Sequence, residues 1–208
     1  MSQEIEYYFS MISPWAFIGH DPFMELIQTY ELRVAYRPMF LGAVFAETGG
    51  VPLGQRPPAR QNYRLIELQR WREKRGLDFK LKPKNWPFDV KLADRIVCAI
   101  VDSGQNPSPF MARGFLAIWR DERDMANEAE LADVLEAVGM KGEALIAAAK
   151  EERIGKIYDD NTKYAIDHGY FGSPCYVLNG EPFWGQDRLD LLADALKSGR
   201  EPYLPPAA

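Results

Sequence analysis

Apolar positions along the chain follow two different periods, and the change from one to the other marks its organisation. Residues 5–9 and 32–37 are short apolar runs of strand length. Between them, residues 14–30 place Phe17, Ile18, Phe23, Met24, Ile27 and Tyr30 on one helical stripe. Pro22 is expected to kink or divide that helix, with Asp21 as a second cap. Strand, helix and strand of these lengths predict a βαβ unit with parallel strands and a right-handed crossover. From Leu41 to about Tyr164 the strand signal stops. Residues 42–58, rich in Gly and Pro, read as a loop, and residues 60–75 as a helix stopped by Gly76. An irregular segment follows at 82–87, then helices at 89–103, 109–120, 128–138, 142–150 and 154–168, most of them closed by glycine. Strands return at 175–178 and 181–184, joined by Asn179-Gly180, a pair that tolerates the positive φ of a type I′ hairpin turn. Pro182 marks the second as an edge strand. In the last helix Leu189, Leu192, Ala193 and Leu196 share a face, Asp187 can cap it, and Gly199 lies just past its end. The prediction is an α/β chain of βαβ…ββα order with a large all-helical insertion.

Composition narrows the class. The 208 residues suit one domain with an insertion or two small ones, and 47% hydrophobic with 26% charged residues is an ordinary globular balance. A net charge of −5 without a basic stripe argues against a nucleic-acid partner. No apolar run approaches membrane-helix length, and Met-Ser-Gln-Glu begins no leader of basic then apolar residues, so a cytoplasmic protein with no membrane partner is expected. Cys98 and Cys175, far apart in apolar surroundings, read as reduced buried thiols. His20 and His168 are the only histidines, and neither they nor the cysteines have metal-ligand spacing, so no metal is expected.

The chemistry concentrates where the first strand meets the first helix. Ser13 falls at the N-cap and Pro14 at the first helical position. The helix therefore starts with uncovered amides, which favour a thiolate, phosphate or carboxylate. Ser13 on its own reads first as a plain cap. In thioredoxin-like proteins of the DsbA type this turn carries Cys-Pro-x-Cys, and Ser13-Pro14-Trp15-Ala16 resembles it with both cysteines replaced. Internal disulfide exchange is then chemically impossible at this turn. The Ser-Pro-aromatic form resembles the 2-hydroxychromene-2-carboxylate isomerases and the kappa-class glutathione transferases, which hold the thiol on bound glutathione. With the ββα tail the resemblance covers the whole chain. It implies a thioredoxin-like domain made of 1–40 and 170–208, with 41–169 as a helical insertion domain.

Further positions follow from that resemblance. Ser173-Pro174 matches a cis-proline site whose preceding residue pairs with the backbone of a thiol ligand. Trp184-Gly185-Gln186-Asp187-Arg188-Leu189 is similar to a motif whose middle pair holds the carboxylate and ammonium of a γ-glutamyl group; Asp187 reads as ligand or as cap, and Gln186 replaces the usual Asn or Ser. Gly49-Gly50 stands where an Asn contact is usual. Asn85 lies in a loop implied to reach over the glutathione site. Arg60 reads as a surface charge or as the holder of an anionic substrate, and Trp15 and Trp86 as core or as walls of an aromatic pocket. Cys175 reads as a buried strand residue or as an activated thiol. The implied activity is a glutathione-dependent isomerase of aromatic catabolism, with Ser13 catalytic, an aromatic carboxylate as substrate and a homodimer as the assembly. The alternatives are a kappa-like transferase or peroxidase, a non-catalytic thioredoxin-like binding protein, and an oxidoreductase working through Cys175.

Overall fold

The architecture starts from β1 (Glu4–Phe9), one of the two central strands of the sheet. The computed structural model describes residues 3–206. Strand β1 pairs in parallel with β2 (Arg33–Pro38) and antiparallel with β3 (Cys175–Leu178), which pairs antiparallel with β4 (Glu181–Trp184), giving the order β2-β1-β3-β4. This is the thioredoxin-like arrangement the two ends of the chain predict. Asn179 (φ 51°) and Gly180 (φ 84°) make the β3–β4 turn, and Pro182 lies on the edge strand as expected.

Side chains alternate across the sheet and so build two cores. Ile5, Tyr7 and Phe9 face α1 (Pro14–Thr29) and one large buried cluster. Tyr8, Cys175 and Val177 face a smaller cluster on the other side. Helix α1 runs unbroken through Pro22, so the expected division at Asp21 does not occur. Proline inside a helix costs about 3 kcal/mol. Ile18, Phe23 and Leu26 are buried around it, each worth roughly 1.5–3 kcal/mol, and packing outweighs the missing bond.

Between β2 and β3 come α2 (Leu41–Thr48), α3 (Pro58–Lys74), α4 (Lys91–Asp102), α5 (Ser108–Trp119), α6 (Glu128–Ala137), α7 (Gly142–Lys150) and α8 (Glu152–Asp167). Helix α2 stands where the sequence pattern predicts a loop. Eight residues with an early glycine have weak local preference for a helix; burial of Val44 beside α8 and a left-handed Gly49 at the end stabilise it instead. The large cluster runs from β1 and α1 into α4–α7, so sheet and insertion share a core. The last helix, α9 (Leu189–Ser198), follows a 3₁₀ turn at Gln186–Arg188. Asp187 does not cap it: its carboxylate accepts from Arg188 at 2.6 Å, and the N-cap position belongs to Arg188. Among the described residues no helix is long and apolar enough to cross a membrane.

Candidate functional site

The turn from β1 into α1 is held from three directions. Within the turn, Ser13 N–H donates to the Ser10 carbonyl at 3.0 Å. From the front, Ser173 Oγ accepts from Ser10 N–H (3.1 Å), while Ser13 Oγ donates to the Ser173 carbonyl (3.1 Å) and accepts from Ala16 N–H (3.3 Å). Ser13 is thus the N-cap the sequence indicates, and it also ties the helix terminus to the Ser173–Pro174 segment, whose peptide bond is cis. From beneath, Asp94 in the first turn of α4 is fully buried and accepts from Ser10 Oγ (2.7 Å), Met11 N–H (2.7 Å) and Tyr158 OH (2.9 Å). Burial lifts its carboxyl to about 7, with those three hydrogen bonds pulling the other way.

Two lobes of one cleft open over this turn. A polar lobe of about 610 Å³ takes in Arg60, Gln186, Asp187 and Arg188. An apolar lobe of about 810 Å³ takes in Ser13, Pro14, Trp86 and the rings of Phe40, Phe45 and Phe88. Trp15, Arg56, Arg64, Ser173 and Trp184 line both and mark the junction. Each lobe falls in the size range of small-molecule sites.

Most residues singled out from sequence meet here, though not all as expected. Pro174 lies behind the surface, its carbonyl accepting from Gly185 N–H at 2.9 Å. Gln186 is only 2% exposed, with its amide oxygen 3.5 Å from an Arg75 nitrogen, so its backbone rather than its side chain is placed to meet a ligand. Asn85 lines neither lobe; its amide donates to the Glu122 carbonyl at 2.8 Å, so the structure does not bring its side chain to the cleft. Trp86 is fixed by donating to the Ile12 carbonyl (3.0 Å), which ties the inserted loop to the β1–α1 turn. Cys175 sits in the smaller core on the far face of the sheet, and burial pushes its thiol up to about 12. So little thiolate forms near neutrality that the activated-thiol reading has no support.

Arg56 and Arg64 are site residues that sequence reasoning missed. For Arg64 the available signal was its spacing of four from Arg60, which puts both on one face of α3; Arg56 lies in extended backbone before the helix and carries no such signal. Arg56 donates to the Val51 carbonyl at 2.7 Å. The Arg64 guanidinium lies 4.9 Å from the centre of the Trp86 ring system. Burial and the neighbouring Arg56 push Arg64 down to about 10, still charged at neutral pH, and burial with Arg60 lowers Arg56. The cleft is therefore a cationic wall facing an aromatic one.

The chain is 27% identical over 207 residues to glutathione S-transferase kappa 1 of Caenorhabditis elegans, covering 93% of this chain and 90% of that protein. It is 25% identical to a 2-hydroxychromene-2-carboxylate isomerase of Sphingobium xenophagum, covering 94% and 99%. Among solved structures, a 2-hydroxychromene-2-carboxylate isomerase superposes with a TM-score of 0.76 at 24% identity, over 94% of this chain and 95% of that one. Residues 4–197 match the family of DSBA-like thioredoxin domains, and the chain belongs to that family.

Proposed function

We propose that this protein binds glutathione in the polar lobe and catalyses a glutathione-dependent isomerisation of the 2-hydroxychromene-2-carboxylate type in the apolar one. The observation that carries the reading is the position of Ser13: a hydroxyl at the N-terminus of α1, on a cleft whose one side is cationic and whose other side is aromatic. Glutathione is a peptide with two carboxylates and an ammonium group. Three cleft arginines without a carboxylate partner among the described residues, together with Asp187, suit that distribution of charge.

Glutathione, when bound, would supply a thiolate able to add reversibly to the conjugated system of the substrate: with the hemiketal C–O bond opened to a ketone and a phenol, the former double bond could turn as a single bond, and loss of the thiolate would restore it. The chain's own residues make that possible. Rotation about the Ser13 Cβ–Oγ bond moves its proton from the Ser173 carbonyl toward an anion at the helix terminus, where the α1 dipole adds to the attraction. Trp15 and Trp184 divide the lobes, and Phe40, Phe45, Trp86 and Phe88 exclude water from an aromatic substrate. That density of rings favours an aromatic acceptor. A kappa-like transferase is the second reading, supported by the 27% identical relative.

The reading is tested by calorimetry with glutathione, then by following 2-hydroxychromene-2-carboxylate spectroscopically with and without it. Binding, and conversion only when glutathione is present, are the expected results. Binding followed by conjugation of electrophiles, with no isomerisation, would establish the transferase instead. No heat at millimolar glutathione would leave a thioredoxin-like binding protein. A further expectation concerns Gly172, where an added Cβ would run into the Trp184 indole. Trp184 is 51% exposed and free to swing outward, so Gly172→Ala should leave the melting temperature within a few degrees. Glutathione affinity should nonetheless fall about tenfold as the junction opens, and tryptophan fluorescence should shift to the red; unchanged affinity and emission would show that Trp184 does not wall the cleft.

A further inference from the structure

We propose that Arg64 is the anchor for the acid group of the second substrate, and that it selects a planar aromatic carboxylate over its uncharged analogues; the assignment deepens the reading of the cleft given above and rests on it. Arg60, the sequence-based candidate for this role, lines only the polar lobe. Arg64 lines both lobes and stands at their junction.

Its setting is that of a cation prepared for an anion. The guanidinium is half-buried, its strongest charged neighbour is another arginine, and no carboxylate among the described residues pairs with it. Elsewhere the chain pairs its arginines readily: Arg70, Arg113, Arg120, Arg123, Arg153 and Arg200 each have an acidic partner. Burying a charge without a partner is costly unless something compensates. Trp86 offers part of that compensation through its ring face, 4.9 Å away. This contact uses none of the five N–H donors. Trp86 in turn is held by its bond to the Ile12 carbonyl, so the guanidinium is positioned before any ligand arrives. A planar fork of donors suits a carboxylate in two-point contact, and the rings of Phe40, Phe45 and Phe88 wall the same lobe.

The lobe is not uniformly cationic. Asp89 also lines it, but its carboxylate accepts from Lys91 N–H at 3.2 Å, and the Lys91 ammonium, 4.7 Å from the Phe40 ring, adds positive charge on that side. Of the cations lining the apolar lobe, Arg56 already spends its Nε–H on Val51. Arg64 is the one held against an aromatic ring at the junction, lining the same lobe as Ser13.

The test uses coumarin-3-carboxylate and coumarin-3-carboxamide as probes, titrated by calorimetry into wild type, Arg64→Gln, Arg64→Lys and Arg60→Gln without glutathione. Wild type should prefer the carboxylate by about 10- to 100-fold. Arg64→Gln should lose that preference while its carboxamide affinity stays within about threefold, Arg64→Lys should restore part of it, and Arg60→Gln should keep it. Equal affinities in wild type, or a preference that survives in Arg64→Gln and disappears in Arg60→Gln, would overturn the assignment. Glutathione titrations run in parallel separate the two levels: loss of glutathione binding in wild type sinks the reaction, whereas an intact carboxylate preference governed by Arg64 keeps the subsite.

Discussion

Ser13→Ala should lower turnover of 2-hydroxychromene-2-carboxylate by about two to three orders of magnitude while changing glutathione affinity less than about tenfold. The hydroxyl is one preorganised donor at the place where negative charge sits, and removing such a donor costs about 3–4 kcal/mol of transition-state stabilisation. Ligand carboxylates and backbone keep their partners, so binding of the cofactor suffers less than turnover. A structural effect accompanies the chemical one: Ala16 N–H loses its cap and the Ser173 carbonyl loses a donor, so stability should fall by about 1–2 kcal/mol. The two are separated by the ultraviolet absorbance of the glutathione thiolate in the complex. Its pH midpoint should move upward in Ser13→Ala at temperatures where both proteins are fully folded. Turnover within a few-fold of wild type, or an unmoved midpoint, would remove Ser13 from the chemistry and leave it as a cap.

What the sequence shows of this site follows from where its signals are local. Ser13 and Pro14 are legible because a cap and a first-turn proline are decided by adjacent residues. The β3–β4 turn is legible because Asn179 and Gly180 tolerate positive φ. Helix α2 was missed because its stability comes from α8, more than a hundred residues away in sequence. Asp187 reads from the sequence as ligand or as cap, because an acid before an apolar stripe suits a helix terminus; the cap is ruled out by its adjacent partner Arg188, which donates to the carboxylate. Asn85 was placed over the cleft by its loop, but the direction of its side chain is set by the Glu122 carbonyl, which nothing local reveals. Arg64 belongs to the same class. A helical arginine often finds an acid, and only the folded chain shows that this one faces a tryptophan and lines the apolar lobe.

Asp94 is the least visible of these residues and the one whose loss should damage the fold most. An acid in the first turn of α4 looks like a solvated partner of the helix dipole. Here it is fully buried and joins three segments, through Ser10 and Met11 of the β1–α1 turn and Tyr158 of α8. Asp94→Ala leaves one N–H and two hydroxyls without their acceptor, at about 1–3 kcal/mol for each group that water cannot reach. A loss of about 3–5 kcal/mol is expected, a third or more of the stability of a typical domain, and read as a lower denaturant midpoint. Asp94→Asn isolates the charge, since it keeps the shape and an acceptor. The wild-type carboxyl is raised from its ordinary value of 3.8 to about 7, so the folded chain holds a proton that the unfolded chain has released. This contribution of Asp94 to stability is therefore full below pH about 4, falls as pH rises toward about 7, and stays low above it. Denaturation of Asp94→Asn across that window should lack this component, so the difference in stability between variant and wild type should shift in favour of the variant as pH rises. A difference that stays constant from pH 4 to 8 would mean that Asp94 is ionised throughout, held by its three donors despite burial.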